Sequence, residues 1–358
     1  MGRLPTNLLR SIGARLHRTR QRKPLEAVSP GAQQVRYIVY GAGAVGGLIA
    51  GRLLEQGFDV VVIARGEHLA AMQNSGLAIE SPHGLVRVPV VAVAHPSDIS
   101  FQPPTDVALL GTKTQDSAEA LDALWRNAGP NIPVVCLQNG IESARLALRR
   151  FEHVAGAVMI LATAHLQPGI VQSFLAPVAG VIDLGRFPAG SDPFVNQIAR
   201  DLRRAGFDSE VREDILRWQY GKLLLNLKNA LQALCGPEAN YKDLLTELRT
   251  EAESCYRAAG ITYTSEAEMH DRARAVLTGF GRPGDSSWQS LVRATGSIES
   301  DFLNGEIVLL GRLHGVATPL NVLLQELANR FARERRTAAS LPVDDLRHLL
   351  RKSRSNSG

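Results

Sequence analysis

Arg36-Tyr-Ile-Val-Tyr-Gly-Ala-Gly-Ala-Val-Gly-Gly47 decides how this chain folds. A short β-branched and aromatic run enters three glycines spaced Gly41-x-Gly43-x-x-Gly46, and residues 48–55 continue in a helix-compatible pattern. The order is strand, turn, helix. Gly41 permits the tight turn, Gly43 lets backbone approach a pyrophosphate, and Gly46 lets the helix lie close on the strand. The helix N-terminus offers free N–H groups and the positive end of its dipole, so Gly41, Ala42, Gly43, Ala44, Val45 and Gly46 form the expected phosphate seat. Three glycines alone carry little specificity. A second apolar strand at residues 60–64, at the right interval, makes the segment a dinucleotide-binding βαβ unit.

The end of that second strand selects the dinucleotide. NAD-type units place an Asp or Glu there to accept hydrogen bonds from the ribose 2′-OH. Here Ala64 holds the position and Arg65 follows. A guanidinium grips a 2′-phosphate with charge-assisted bonds, whereas a carboxylate repels it. NADPH is the cofactor expected, with Arg65 as its reader.

With 358 residues, 45% hydrophobic and 21% charged, the chain has room for two domains of ordinary globular composition. Its three cysteines, Cys136, Cys235 and Cys255, lie far apart and read as reduced thiols. The histidines show no paired metal-ligand spacing, so no metal is expected. No apolar run approaches the roughly 20 residues that span a bilayer. The net charge of +5 is concentrated before Glu26, where Arg3, Arg10, Arg15, Arg18, Arg20, Arg22 and Lys23 stand without an acid. The remaining chain is slightly acidic, which argues against nucleic acid as a partner of the folded body. Leu4, Leu8, Leu9, Ile12 and Leu16 recur near helical spacing between those arginines. The arm therefore reads as a disordered extension, a mitochondrial transit peptide or a membrane-surface helix. Without such a signal a cytoplasmic location is expected.

From residue 36 to about 209, strands alternate with helices, predicting a parallel sheet covered on both faces. Residues 77–80 and 85–93 read as an antiparallel excursion around Pro82-His-Gly84. From about 210 to 340 the pattern is helical, with windows at 214–234, 241–259, 266–277, 291–314 and 321–335. Residues 1–35 form the basic extension and 341–358 a polar tail expected to fray.

Ligands of an open parallel sheet bind beyond the strand C-termini. Two expected strand ends carry polar residues there, Gly111-Thr-Lys113-Thr-Gln115 and Gln138-Asn139-Gly140. Lys113 has the reach for ribose or phosphate oxygens, and Asn139 offers both a donor and an acceptor. In the helical half, Lys222 and Asn226 are four apart and share a helix face, with three leucines between them. A lysine among apolar neighbours is either a desolvated proton donor or a side chain snorkelling at the rim of a buried helix.

The stretch Asp285-Ser-Ser287-Trp-Gln-Ser-Leu-Val-Arg293-Ala-Thr-Gly-Ser-Ile-Glu299, followed by Asn304-Gly-Glu306, bears on that choice. Together with the glycine turn, Arg65, Lys113, Gln138-Asn-Gly140 and Lys222-x-x-x-Asn226, it resembles the ketopantoate reductase family over residues 36–330. The resemblance implies a Rossmann-type doubly wound sheet followed by an all-α domain of the 6-phosphogluconate dehydrogenase C-terminal kind. It implies reduction of 2-dehydropantoate to (R)-pantoate with NADPH, in pantothenate and coenzyme A biosynthesis. It casts Lys222 as general acid and Glu299 as a catalytic group that bonds substrate, cofactor or Lys222. Asn226, Ser287 and Asn139 would bind substrate, and Lys113 and Asn139 the nicotinamide and ribose end of the cofactor.

One position departs from that pattern. Family members carry a second asparagine four residues after the first, where this chain has Ala230, with Asn229 beside it. On an unbroken helix a one-residue shift turns a side chain by about 100°, so Asn229 is not expected to take over directly. This keeps two alternatives open: a reductase of another small 2-oxo acid, or a non-catalytic NADP-binding sensor. A homodimer is compatible with the sequence but specified by no residue in it.

Overall fold

A computed structural model describes residues 35–274 and 284–355. The basic N-terminal arm lies outside the described residues, as do positions 275–277 of the expected 266–277 helix. The opening motif folds as β1 (Arg36–Tyr40), α1 (Ala44–Glu55) and β2 (Asp59–Ile63), and α2 (Gly66–Ser75) follows. Next come β3 (Leu77–Ser81), β4 (Gly84–Val88), β5 (Val91–Val93), β6 (Asp106–Leu110), α3 (Ser117–Ala128), β7 (Val134–Cys136) and α4 (Glu142–Leu148). The first half closes with β8 (Val154–Ile160), β9 (Thr163–Gln167), β10 (Ile170–Ser173), β11 (Val181–Arg186) and α5 (Pro193–Arg204).

Seven strands form the main sheet in the order β11-β8-β7-β6-β1-β2-β5. All neighbours run parallel except β11, which is antiparallel to β8. In the central strand Tyr37, Ile38 and Val39 are all buried, as a sheet covered on both faces requires. A smaller sheet, β4-β3-β10-β9, packs beside α1. The expected excursion is there, since β3 and β4 pair antiparallel. However, residues 85–93 are not one strand. The run breaks after Val88, at Pro89, which has no N–H for a ladder, and β5 then joins the main sheet beside β2.

The helical half comprises α6 (Ile215–Asn226), α7 (Lys228–Cys235), α8 (Lys242–Ala258), α9 (Glu266–Ala273), α10 (Ser286–Val292), α11 (Asn304–His314), α12 (Pro319–Arg333) and α13 (Val343–Ser355). Two expectations change here. The single helix read over 291–314 is α10, a turn, a short 3-10 segment at Glu299–Phe302, and α11. Ala294 (φ 50) and Gly296 (φ +79) take the chain out of helical backbone. The expected fraying tail is also helical, because Leu346 and Leu350 of α13 are buried in the same core as α12. Its mean polarity masks an apolar stripe at spacing four.

Charged ties join the halves. Arg145 of α4 donates to both Glu306 carboxylate oxygens of α11 (2.8 and 3.0 Å) and to Tyr220 Oη of α6 (3.0 Å). Arg272 of α9 binds the fully buried Asp183 of β11 and also Asp208. These bonds fix the two walls of the cleft described next.

Candidate active site

A cleft of about 1040 Å³ lies beyond the C-terminal ends of β1, β2, β6 and β7 and is walled on its other side by α6, α7 and α10. Its floor is the glycine turn. Gly41 has φ +97, and a Cβ there would lie 2.6 Å from the Thr112 backbone N. A Cβ on Gly46 would lie 2.0 Å from Gly41 O, which is why α1 needs glycine to sit against β1. Gly43 is different, for nothing lies within 4 Å of a Cβ built on it. It is the N-cap of α1 and gives no side-chain cap, and the first turn of α1 carries no acid. The turn thus presents uncapped N–H groups to open space, an anion seat.

At one end of the cleft Arg65 is the residue before α2, its side chain 82% exposed and, among the described residues, held only by a 3.3 Å ion pair to Asp116. Further along, Lys113 Nζ lies 2.5 Å from Glu299 Oε2, and Glu299 Oε1 accepts from Thr114 N (3.2 Å) and Thr114 Oγ1 (3.0 Å). Burial pushes the Glu299 carboxyl up. The Lys113 ammonium and the Thr114 bonds outweigh it, holding the group below its ordinary value. Glu299 is therefore an ionised strut between the halves. Its partners are Lys113 and Thr114, a pairing across 186 residues that no local pattern could announce.

Lys222 is half-buried on α6 and lines the cleft together with Asn226 and Asn139. Beside Lys222, Gly221 lets α6 press against the segment after α8, for a Cβ there would meet Thr264 O at 2.6 Å. Ser287 is buried on α10 but is absent from the lining, which α10 supplies through Ser286 and Gln289. The Asn229 expectation also shifts. α6 and α7 meet at Leu227, whose backbone stays helical (φ −58, ψ −30); Asn229 lines the cleft while 5% exposed, and Ala230 packs into the core. A second amide thus reaches the cleft three residues after Asn226 rather than four, a spacing that also makes neighbours on a helix surface.

Buried polar atoms without partners gather in this cleft. Among the described residues they include Thr112 Oγ1, Gln138 Oε1, His165 Nε2 and Asn226 Nδ2. Each costs about 1–3 kcal/mol if left unsatisfied, so their clustering marks a place built to be filled by a ligand with several polar groups. His68 and His165 escaped the sequence reading, since a lone histidine on a helix or strand carries no motif. Their rings meet with centroids 4.1 Å apart. His68 Nδ1 accepts from Gly169 N (2.8 Å), so its Nε2 carries the hydrogen and donates to Ala42 O (2.8 Å) in the glycine turn.

Comparison with known proteins decides the lineage. The family model described as ketopantoate reductase PanE/ApbA matches residues 37–188, and that for the C terminus of the same family matches residues 214–332. The chain belongs to the ketopantoate reductase family. Curated 2-dehydropantoate 2-reductases of Pyrococcus horikoshii and Caulobacter vibrioides are 27% and 29% identical to it, each aligned over 82% of this chain and 96% or 98% of their own. A PanE/ApbA family ketopantoate reductase from Ralstonia eutropha superposes with a TM-score of 0.71 at 27% identity, covering 84% of this chain and 99% of that one. D-mandelate dehydrogenase, solved with NADH and anilino(oxo)acetate, shares the fold at TM-score 0.73 and 22% identity, with the same coverage.

Membership makes the chain a nicotinamide-dinucleotide-dependent oxidoreductase acting on CH–OH and C=O groups, and the expected α/β plus all-α architecture is the family's. The glycine cradle and the orphaned polar atoms fit such a cofactor. Among the described residues, no helix is long and apolar enough to cross a membrane.

Proposed function

We propose that this chain reduces a small 2-oxo acid, 2-dehydropantoate foremost, to its 2-hydroxy acid with NADPH, (R)-pantoate being the product, and that Lys222 is the general acid. The observation that carries the reading is that Lys222 and the amide of Asn226, whose Nδ2 is orphaned, line the same cleft as Gly41 to Val45. A reduced nicotinamide bound there would supply hydride and carry the redox chemistry. The protein must then hold the keto acid and manage charge on its carbonyl oxygen. Asn226 Nδ2 donates to a substrate oxygen, and Asn139 and Asn229 orient the rest. The Lys222 ammonium stabilises the negative charge that develops on oxygen and transfers its proton to it, leaving a neutral hydroxyl and a neutral amine. Glu299 keeps Lys113 in place at the cofactor's ribose and nicotinamide end.

Oxidation of NADPH followed against a panel of 2-oxo acids tests this. Turnover of 2-dehydropantoate above the others is expected. A preference for a different acid would move the substrate assignment, and no turnover of any would favour the sensor alternative. Cofactor choice has its own measurement. Arg65 gains a 2′-phosphate contact worth roughly 1.5–3 kcal/mol, so NADPH is expected to bind about 10- to 100-fold tighter than NADH. Arg65→Ala should remove that gap by weakening NADPH alone. Equal affinities in the unmodified protein would refute the role of Arg65.

A further inference from the structure

The glycine turn offers a dinucleotide's phosphate bridge only backbone N–H groups and a helix dipole, against two negative charges. Most of the other cations lining the cleft have their own tasks or acids. Arg65 pairs with Asp116, Lys113 with Glu299 and Arg249 with Glu266. Lys222 is the proposed acid, and two cations remain with no acid hydrogen-bonded to them among the described residues: Lys228, within electrostatic reach of Glu266, and Arg293, within reach of Glu299.

Arg293 is placed differently. It lies at the C-terminal end of α10, lines the cleft and, among the described residues, bonds only backbone carbonyls: Nε to Gln289 O (3.3 Å) and Nη1 to His165 O (3.4 Å). Among the described residues its Nη2 makes no hydrogen bond. Contacts lead from Arg293 toward the glycine turn. The His165 ring lies on His68, and His68 donates to Ala42 O. A second link, Gln289 Nε2 to Thr163 O (3.4 Å), holds α10 on β9. The orphaned Nε2 of His165 is buried in the same wall.

We infer that Arg293 is the counter-charge for the phosphate bridge of the dinucleotide, reaching it from the helical half, with His165 Nε2 as a neutral partner beside it. The inference rests on the reductase reading above and adds a second wall to its cofactor site. A guanidinium with free N–H groups, lining the same cleft as a seat of bare amides, suits a pair of phosphates better than either element alone. The same chemistry would suit a substrate carboxylate, and binding without substrate separates the two.

The test is fluorescence titration of the full-length protein, with no keto acid present, using NADPH, NADH, 2′-AMP and inorganic pyrophosphate as probes. Arg293→Gln is expected to raise Kd for both NADPH and NADH about 10- to 100-fold and to weaken displacement of NADPH by pyrophosphate. It should leave 2′-AMP binding unchanged, since 2′-AMP lacks the bridge. Arg293→Lys, which keeps the charge but not the fork, should recover part of the loss. Arg65→Ala should show the reverse pattern, losing 2′-AMP and sparing NADH. A melting temperature like the unmodified protein's checks that each variant folds. Unchanged dinucleotide affinity in a folded Arg293→Gln protein overturns the inference while the reductase reading stands. A raised KM for the keto acid alone also overturns it and reassigns Arg293 to the substrate. Failure of the unmodified protein to bind either dinucleotide overturns both readings.

Discussion

Lys222→Ala is expected to lower kcat about 10²- to 10⁴-fold, the range that a positioned proton donor contributes, while NADPH affinity in the absence of substrate is retained. Lys222 projects from α6, whereas the phosphate seat is built from α1 and the ends of β1 and β2, so loss of the ammonium leaves the dinucleotide's main contacts in place. Lys222→Met removes the charge but keeps the chain length, and should fall as far as alanine if the proton is what matters. Lys222→Arg keeps the charge, yet a guanidinium does not give up its proton in this range. It should therefore restore little turnover. Stopped-flow measurement of NADPH oxidation, with a pH profile for each variant, checks the assignment. Near-normal turnover in Lys222→Met would remove the residue from the reaction.

What could be read from the residues was what the chain builds locally. β1 and β2 appear within a residue of where periodicity put them, and α1 ends at Glu55 as expected but begins four residues earlier, at Ala44, because each is dictated by neighbours a few positions away. Lys222 and Asn226 share α6 for the same reason. Misreadings arose where a distant contact sets the backbone. Residues 291–314 have helical composition throughout, but the chain leaves helix at Ala294 to Gly296 and re-forms at the segment that carries Glu299 to Lys113. Thr295-Gly-Ser297 was a usable breaker signal. In α13 the pattern of Leu346 and Leu350 was visible, but whether an apolar stripe is covered depends on α12 being there to receive it.

The site divides along the same line. Glycines, Arg65 and the Lys222–Asn226 pair announce themselves by spacing. His68, His165 and Arg293 do not, because their meaning comes from meeting across 97 positions and more: His68 with His165, and Arg293 with the His165 carbonyl. Asn229 is an intermediate case. Its identity is plain in the sequence, but that it faces the cleft while Ala230 faces the core is set by how α7 packs.

The glycine turn allows the second large effect to be split into packing and binding. Gly46→Ala places a methyl where Gly41 O stands at 2.0 Å and Val39 Cγ1 at 3.2 Å, and because the first of these is backbone, α1 must move off β1. Overpacking of this kind costs about 1–3 kcal/mol, so the melting temperature should fall. The shift also carries the uncapped N–H groups of α1 away from the phosphates. Losing two bonds to charged groups, each worth about 1.5–3 kcal/mol, should weaken NADPH about 10²- to 10⁴-fold. Gly43→Ala is the counterpart. Its φ of −63 suits alanine and nothing lies within 4 Å of the new Cβ, so the fold should be untouched and the melting temperature unchanged. Yet that open space is where a phosphate must come, and NADPH affinity should still fall. Calorimetry on both variants, paired with NADPH titration, separates the two roles. If Gly43→Ala binds NADPH as well as the unmodified protein, the turn is not the phosphate seat; if Gly46→Ala melts unchanged, close contact between α1 and β1 is not what that glycine provides.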